Sequence, residues 1–288
     1  CMLVAMMATP PCCWGAAQYL AETRNFDGTA VVIFQPAEEG GGGGREMVED
    51  GMMERFGIQQ VFGMHNWPGL PLGQFAIRAG GFFAATDEFT ISLKGRGGHA
   101  GKPHDTIDTT LVGAHLVVAL QSIASRNTDP TQSIVVSVTS FRTESDAYNV
   151  IPELVELRGT VRTHDDDLRI MAESRLRQIA HHSAETFGAQ ADVAWKKGYP
   201  VMANSPEETE FAAAVAEQVS GRPTEQSAPI MAGEDFAYML QSRPGAYILI
   251  GNGDSASVHH AAYNFNDEAI PAGCSWWAGI IETAMPAA

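Results

Sequence analysis

Three short apolar runs constrain this chain more than any other feature: residues 30–34, 60–64 and 246–250 are apolar almost throughout and break off at proline, glycine or polar positions. Runs this short, without a polar residue at every second place, fit strands buried on both faces of a sheet. Apolar residues at helical spacing from Trp14 to Leu20 lead into the first run through the turn Asp27-Gly28, and a helical stretch starting near Arg45 separates the first run from the second. Beyond Gly198-Tyr199-Pro200, a helix over 207–219 precedes the third run, and a final helix containing Trp276 and Trp277 follows it. Alternating strands and helices predict a parallel sheet of the α/β kind.

From Asp87 onward the period changes. Phe89, Ile91 and Leu93 alternate with polar residues, as do Ile134, Val136 and Val138 and then Val155, Leu157 and Val161. A two-residue period implies a sheet with one wet face. Helical segments over 106–126 and 166–187 separate these strands, and a further strand over 191–195 completes the order β, α, β, β, α, β of a ferredoxin-like α+β unit. The chain therefore divides at 1–85, 86–197 and 198–288, with the middle part inserted into the α/β domain that the outer parts form.

Composition narrows the partners. Eighteen Lys plus Arg against 34 Asp plus Glu leave a formal charge of -16, which opposes binding to nucleic acid or to an acidic membrane surface. The chain carries no run of eighteen apolar residues, and its first residues show no basic n-region, so a cytoplasmic location is the default expectation. Four cysteines, three of them crowded at Cys1, Cys12 and Cys13, are unlike an evenly spaced disulfide framework and are expected to be reduced thiols.

Residues able to do chemistry gather behind the apolar runs. Glu38 and Glu39 follow the first and precede the glycine run 40–44; His65 follows Gly63-Met64; His259 and His260 follow the third run and a Gly-Asn-Gly-Asp loop. Loops at the carboxyl ends of parallel strands are where open α/β sheets build their sites. An adjacent carboxylate pair in a loop is, by itself, commonly a solvated surface feature. Three strand ends offering Glu, His and His together are what a zinc, manganese or similar site requires, with a second carboxylate beside it free to take a proton. His99, in Gly97-Gly98-His99-Ala100, lies outside that group, and its plain reading is a loop imidazole.

Six segments in order, Gln35-Pro36-Ala37-Glu38-Glu39-Gly40, Gly63-Met64-His65-Asn66, Gly97-Gly98-His99-Ala100, Ala147-Tyr148-Asn149-Val150-Ile151-Pro152, Gly233-Glu234-Asp235-Phe236 and Val258-His259-His260, resemble the signatures of the hippurate hydrolase and aminoacylase group of metallopeptidases. The resemblance implies an α/β two-metal exopeptidase-like catalytic domain with an inserted ferredoxin-like lid, and hydrolysis of the amide bond of N-acyl amino acids. It implies Glu38 as general base and Glu39, His65 and His259 as ligands of divalent metal ions, two per intact subunit (Mn, Zn, Co or Ni). His260 stays open in place of His259, because Ala261 stands where a proline often follows. His99 would take the substrate carbonyl or oxyanion, Asn149 and Arg162 the substrate carboxylate, and the lid would form a homodimer. Two other readings remain open: a dipeptidase of the same superfamily, and a catalytically dead binding protein.

Members of the group carry, ahead of the residue matching Glu38, the sequence His-Ala-Cys-Gly-His-Asp-Gly-His-Thr-Ala-Met-Leu-Leu-Gly, with two further metal ligands. Residues 1–15 hold nothing similar as written, yet codons for them read from the third base of Cys1 can spell that sequence throughout. We therefore expect residues 1–15 to be a frame-shifted translation, the catalytic domain to lack its first strands, and the chain to be impaired and prone to aggregate.

Overall fold

The computed structural model describes residues 3–7 and 10–287; residues 1, 2, 8 and 9 of the stretch expected to be frame-shifted lie outside the described residues. The chain falls into two compact units, one formed by 1–82, 202–230 and 234–288 and the other by 83–201 with 231–233. In chain order, the first unit begins with β1 (Leu3–Met7), α1 (Pro10–Thr23), β2 (Thr29–Val32), α2 (Gly43–Glu49), α3 (Met52–Arg55), β3 (Gln60–Trp67), β4 (Phe75–Ile77) and β5 (Gly80–Phe83). The second unit holds β6 (Ala85–Lys94), β7 (Gly98–His99), α4 (Thr109–Leu120), β8 (Ile134–Thr143), β9 (Val150–Ile151), β10 (Leu154–Thr163), α5 (Asp166–Thr186) and β11 (Gln190–Lys197). The first unit is completed by β12 (Met202–Asn204), α6 (Pro206–Ser220), β13 (Glu225–Gln226), α7 (Ala237–Ser242), β14 (Gly245–Gly251) and α8 (Ile270–Ala284).

The large sheet runs β13-β4-β14-β3-β1-β2. Its centre is parallel: β14 pairs with β3 through Ile248↔Met64 and Leu249↔His65, and β1 pairs in parallel with both β3 and β2. One neighbour departs from the expected all-parallel arrangement, since β4 lies antiparallel to β14. The link 68–74 is shorter than the dozen or so residues that a parallel crossover needs, so β4 must return against β3's direction. Every residue of β14 is buried, as a strand covered on both faces must be. Under the sheet, Trp276 of α8 stacks on Phe75 with ring centroids 6.4 Å apart and meets Phe62 edge-on at 6.5 Å, in a core shared with Cys12, Cys13 and Ala16 of α1. Among the described residues Cys13 and Cys274 form no disulfide, and burial pushes the Cys13 thiol up to about 12.

In the second unit the sheet runs β11-β6-β10-β8 with every neighbour antiparallel, the strand order of a ferredoxin-like unit. Burial in β6 alternates residue by residue, placing Phe89, Ile91 and Leu93 against Leu116, Leu120 and Leu176. α4 is shorter than the helix expected over 106–126. Asp108 fixes its start by accepting the Thr110 and Leu111 amides, and past Gln121 the turns widen to a π-helix over Ile123–Asn127. Among the described residues no helix is long and apolar enough to cross a membrane.

Candidate active site

Glu38 and Glu39 stand on the loop that leaves β2, His65 is inside β3 two residues before its end, and His259 is on the loop that leaves β14. The loops bring two of these groups together and leave the third near them. His259 Nδ1 lies 3.5 Å from Glu39 Oε1, and the His65 imidazole is close enough to both to feel their charge. Burial, helped by the nearby His259, lowers the His65 pKa against the opposing Asn66 hydrogen bond and Glu39. His65 Nδ1 is 2.6 Å from the carbonyl of Asn66, which accepts its proton and leaves the Nε2 lone pair for a ligand. Asn66 also donates to the Tyr263 hydroxyl, tying the His259 loop to the end of β3.

The geometry separates the two adjacent histidines. His260 Nδ1 accepts the Ala262 amide at 3.0 Å, so that ring is engaged with its own turn, whereas His259 faces Glu39. His259 achieves this with φ 65, and Ala37, just before the carboxylate pair, has φ 52. Non-glycine residues in the left-handed region carry strain, and two of the three such residues described, the third being Arg24, lie on the loops that present the acids and the imidazole.

Sequence reasoning missed a second group of acids. One carboxylate oxygen from each of Glu38, Glu234 and Asp235 lies within 4.8 Å of the others. Among the described residues the expected trio of Glu39, His65 and His259 does not converge within that distance. Glu234 and Asp235 are buried to 4% and 0% exposure, just ahead of α7. Burial, then the carboxylates of Glu234, Glu39 and Asp235, pushes Glu38 up to about 8; burial pushes Glu234 to about 7 and Asp235 to about 6. Carboxylates so close cannot all ionise without a compensating cation, and the oxygen and nitrogen donors beside them suit a divalent metal ion. The segment Gly233-Glu234-Asp235-Phe236 was visible as a signature, but two acids before a short helix give no sign of where they fold.

His99, Asn149 and Arg162 belong to the second unit. His99 is exposed on β7, opposite Val150 of β9, and Ala100 N donates to the Asn149 carbonyl at 2.9 Å, so the backbone holds His99 and Asn149 together. Arg162 lies on β10, where burial draws its guanidinium below the usual value.

Carboxylates and imidazoles presented by loops and strand ends of a mostly parallel sheet define an α/β scaffold of the metallohydrolase class. The chain belongs to the peptidase family M20/M25/M40, whose model matches residues 12–283. It is 36% identical over 265 residues to the hippurate hydrolase of Campylobacter jejuni, covering 91% of this chain and 69% of that protein. It is 35% identical over 257 residues to the N-acetyl-L-cysteine deacetylase of Bacillus subtilis, covering 89% and 61%. A dinuclear metal binding peptidase of the M20 family from Bacillus subtilis has the same fold, with a TM-score of 0.83 and 27% identity over 99% of this chain and 82% of that one.

Proposed function

We propose that this chain is built to hydrolyse the amide bond of N-acyl amino acids of the hippurate or N-acetyl type, releasing a carboxylic acid and an amino acid. The observation that carries the reading is the Glu38–Glu39 pair, with Glu39 3.5 Å from His259 and near enough to His65 for its charge to act there. The names of the relatives, a hippurate hydrolase and an N-acetyl-L-cysteine deacetylase, supply the substrate class.

Glu39, His65 and His259 are the residues to hold divalent metal ions (Mn, Zn, Co or Ni), two in an intact subunit. Bound there, such ions lower the pKa of water and polarise a carbonyl. Glu38 takes the proton from the attacking water and returns it to the leaving amine, a role that its raised affinity for protons near neutral pH suits. His99 is assigned to the acyl carbonyl oxygen, and Asn149 and Arg162 to the substrate carboxylate; an arginine kept partly out of water binds a carboxylate more strongly than an exposed one. The second unit is assigned as lid and homodimer surface. The buried Cys13 thiol, outside any disulfide, supports a reducing compartment such as the cytoplasm.

The test is incubation of the metal-loaded protein with hippurate, N-acetyl amino acids and dipeptides, with products resolved by chromatography. Hydrolysis of the first two, slow in this chain and faster once residues 1–15 are replaced by the His-Ala-Cys-Gly-His-Asp-Gly-His-Thr-Ala-Met-Leu-Leu-Gly stretch, and a loss of about 10²–10⁴-fold in kcat for Glu38→Gln in the restored chain, is the expected result. Preference for dipeptides would make the chain a dipeptidase; metal binding with no turnover on any substrate would leave a binding protein.

A further inference from the structure

Glu38 and Glu39 sit on a loop with little regular structure of its own, so something must hold it. Within the loop, Gly40 N is 2.6 Å from the Glu38 carbonyl and Gly41 N 3.0 Å from that of Ala37. The glycine run packs back on the start of the loop so closely that a Cβ on Gly43 would come 1.8 Å from Pro36 O, and one on Gly41 2.6 Å from the Ala37 methyl. That folded-back conformation carries the positive φ of Ala37, a strain that the loop alone has no reason to keep. The outside constraint comes from Asp235, 191 residues away in sequence: its Oδ2 accepts the Gly44 amide at 2.7 Å, and its side chain is wholly buried. A Cβ on Gly44 would meet the Asp235 carbonyl at 2.8 Å, so only glycine allows the approach. The neighbouring Glu234 is anchored in turn, accepting the Tyr247 hydroxyl of β14 at 2.7 Å and the Phe236 amide at 3.1 Å. Tyr247 packs over Gly63 of β3, where a Cβ would come 2.2 Å from its ring. The segment 234–236 thus joins the acidic loop to the two strands that carry His65 and lead to His259.

We infer that Asp235 is a positioning residue for the Glu38–Glu39 pair: by accepting the Gly44 amide it clasps the glycine run and fixes the loop that presents Glu39 toward His259 and Glu38 toward Glu234 and Asp235. The clasp itself is a statement about backbone order; its catalytic consequence rests on the proposed function. Asp235→Ala removes the acceptor, Asp235→Asn keeps one oxygen to accept the same amide, and Gly44→Ala attacks the clasp from the other side. Hydrogen exchange of the peptide covering 36–45, read by mass spectrometry on folded protein, is expected to speed up by about tenfold or more in Asp235→Ala and Gly44→Ala and to stay near wild type in Asp235→Asn. In the metal-loaded enzyme the first two should lose about 10–100-fold in kcat with KM little changed, because a misplaced base affects the reaction more than binding. Should Asp235→Ala not fold, Gly44→Ala and Asp235→Asn decide between themselves. Unchanged exchange in Asp235→Ala or Gly44→Ala, or an Asp235→Asn as disordered as the alanine variant, overturns the inference. Inactivity on every N-acyl amino acid, even with residues 1–15 replaced by the His-Ala-Cys-Gly-His-Asp-Gly-His-Thr-Ala-Met-Leu-Leu-Gly stretch, would sink the functional reading, while the exchange comparison would still judge the clasp.

Discussion

Glu234 shows how one buried acid links stability to pH. Its carboxyl is 4% exposed and its pKa is pushed up to about 7, first by burial, against the opposing hydrogen bonds from Tyr247 and the Phe236 amide. A group whose folded pKa is raised binds its proton more tightly in the folded state, so its contribution to stability is complete below the unfolded value of 4.5 and is lost as pH rises through about 7. Metal-free protein should therefore lose on the order of 3 kcal/mol from this group between those limits. Glu234→Gln should flatten that part of the profile, which urea titrations at a series of pH values will measure; an unchanged slope would show that Glu234 does not carry it. At this scale the sequence exposed Glu38, Glu39, His65 and His259 because each follows or ends an apolar run. It left Glu234 and Asp235 without a role, because what matters about them is burial, which no neighbour in sequence reveals.

Elements in both units are set by local rules and then tied by a few long-range contacts. In the second unit, Asp165 caps α5 by accepting the Leu168 amide at 2.8 Å, and acids at 166 and 167 suit the positive end of the helix. What fixes α5 on the sheet is Arg169, whose Nε and Nη2 reach the two oxygens of Asp87 on β6 at 2.8 and 2.5 Å, with Asp87 1% exposed. Arg169→Ala would leave that carboxylate buried without its partner and should cost about 3–5 kcal/mol in denaturant unfolding of the whole chain. A loss below about 1 kcal/mol would show that the Gly198 amide, 3.1 Å from Asp87 Oδ1, suffices. The helices and strands were legible from period and caps; the short strands β4, β5 and β12 and the helix α7 were not, because three to six residues hold too little periodicity to stand out from loop.

For the whole molecule, the expected impairment and the proposed metal centre can be tested together. A cation that binds only the folded state stabilises it by about 2.7 kcal/mol at a hundred times its Kd, so thermal melts in the presence of Mn or Zn report affinity without any assay of turnover. If residues 1–15 replace two ligands, a chain carrying His-Ala-Cys-Gly-His-Asp-Gly-His-Thr-Ala-Met-Leu-Leu-Gly in their place should show the larger shift, and equal shifts would remove the frame-shift expectation. By itself the sequence determined the α/β class, the inserted unit with alternating strands and the strand ends where acids and imidazoles collect, since periodicity and turn residues are local and survive in one dimension. Only the tertiary structure decided that β4 returns antiparallel, that His259 rather than His260 faces Glu39, and that Glu234 and Asp235 crowd Glu38. Those outcomes depend on which backbone groups meet across the chain, as Asp235 meets Gly44, and distance along the sequence carries no record of such meetings.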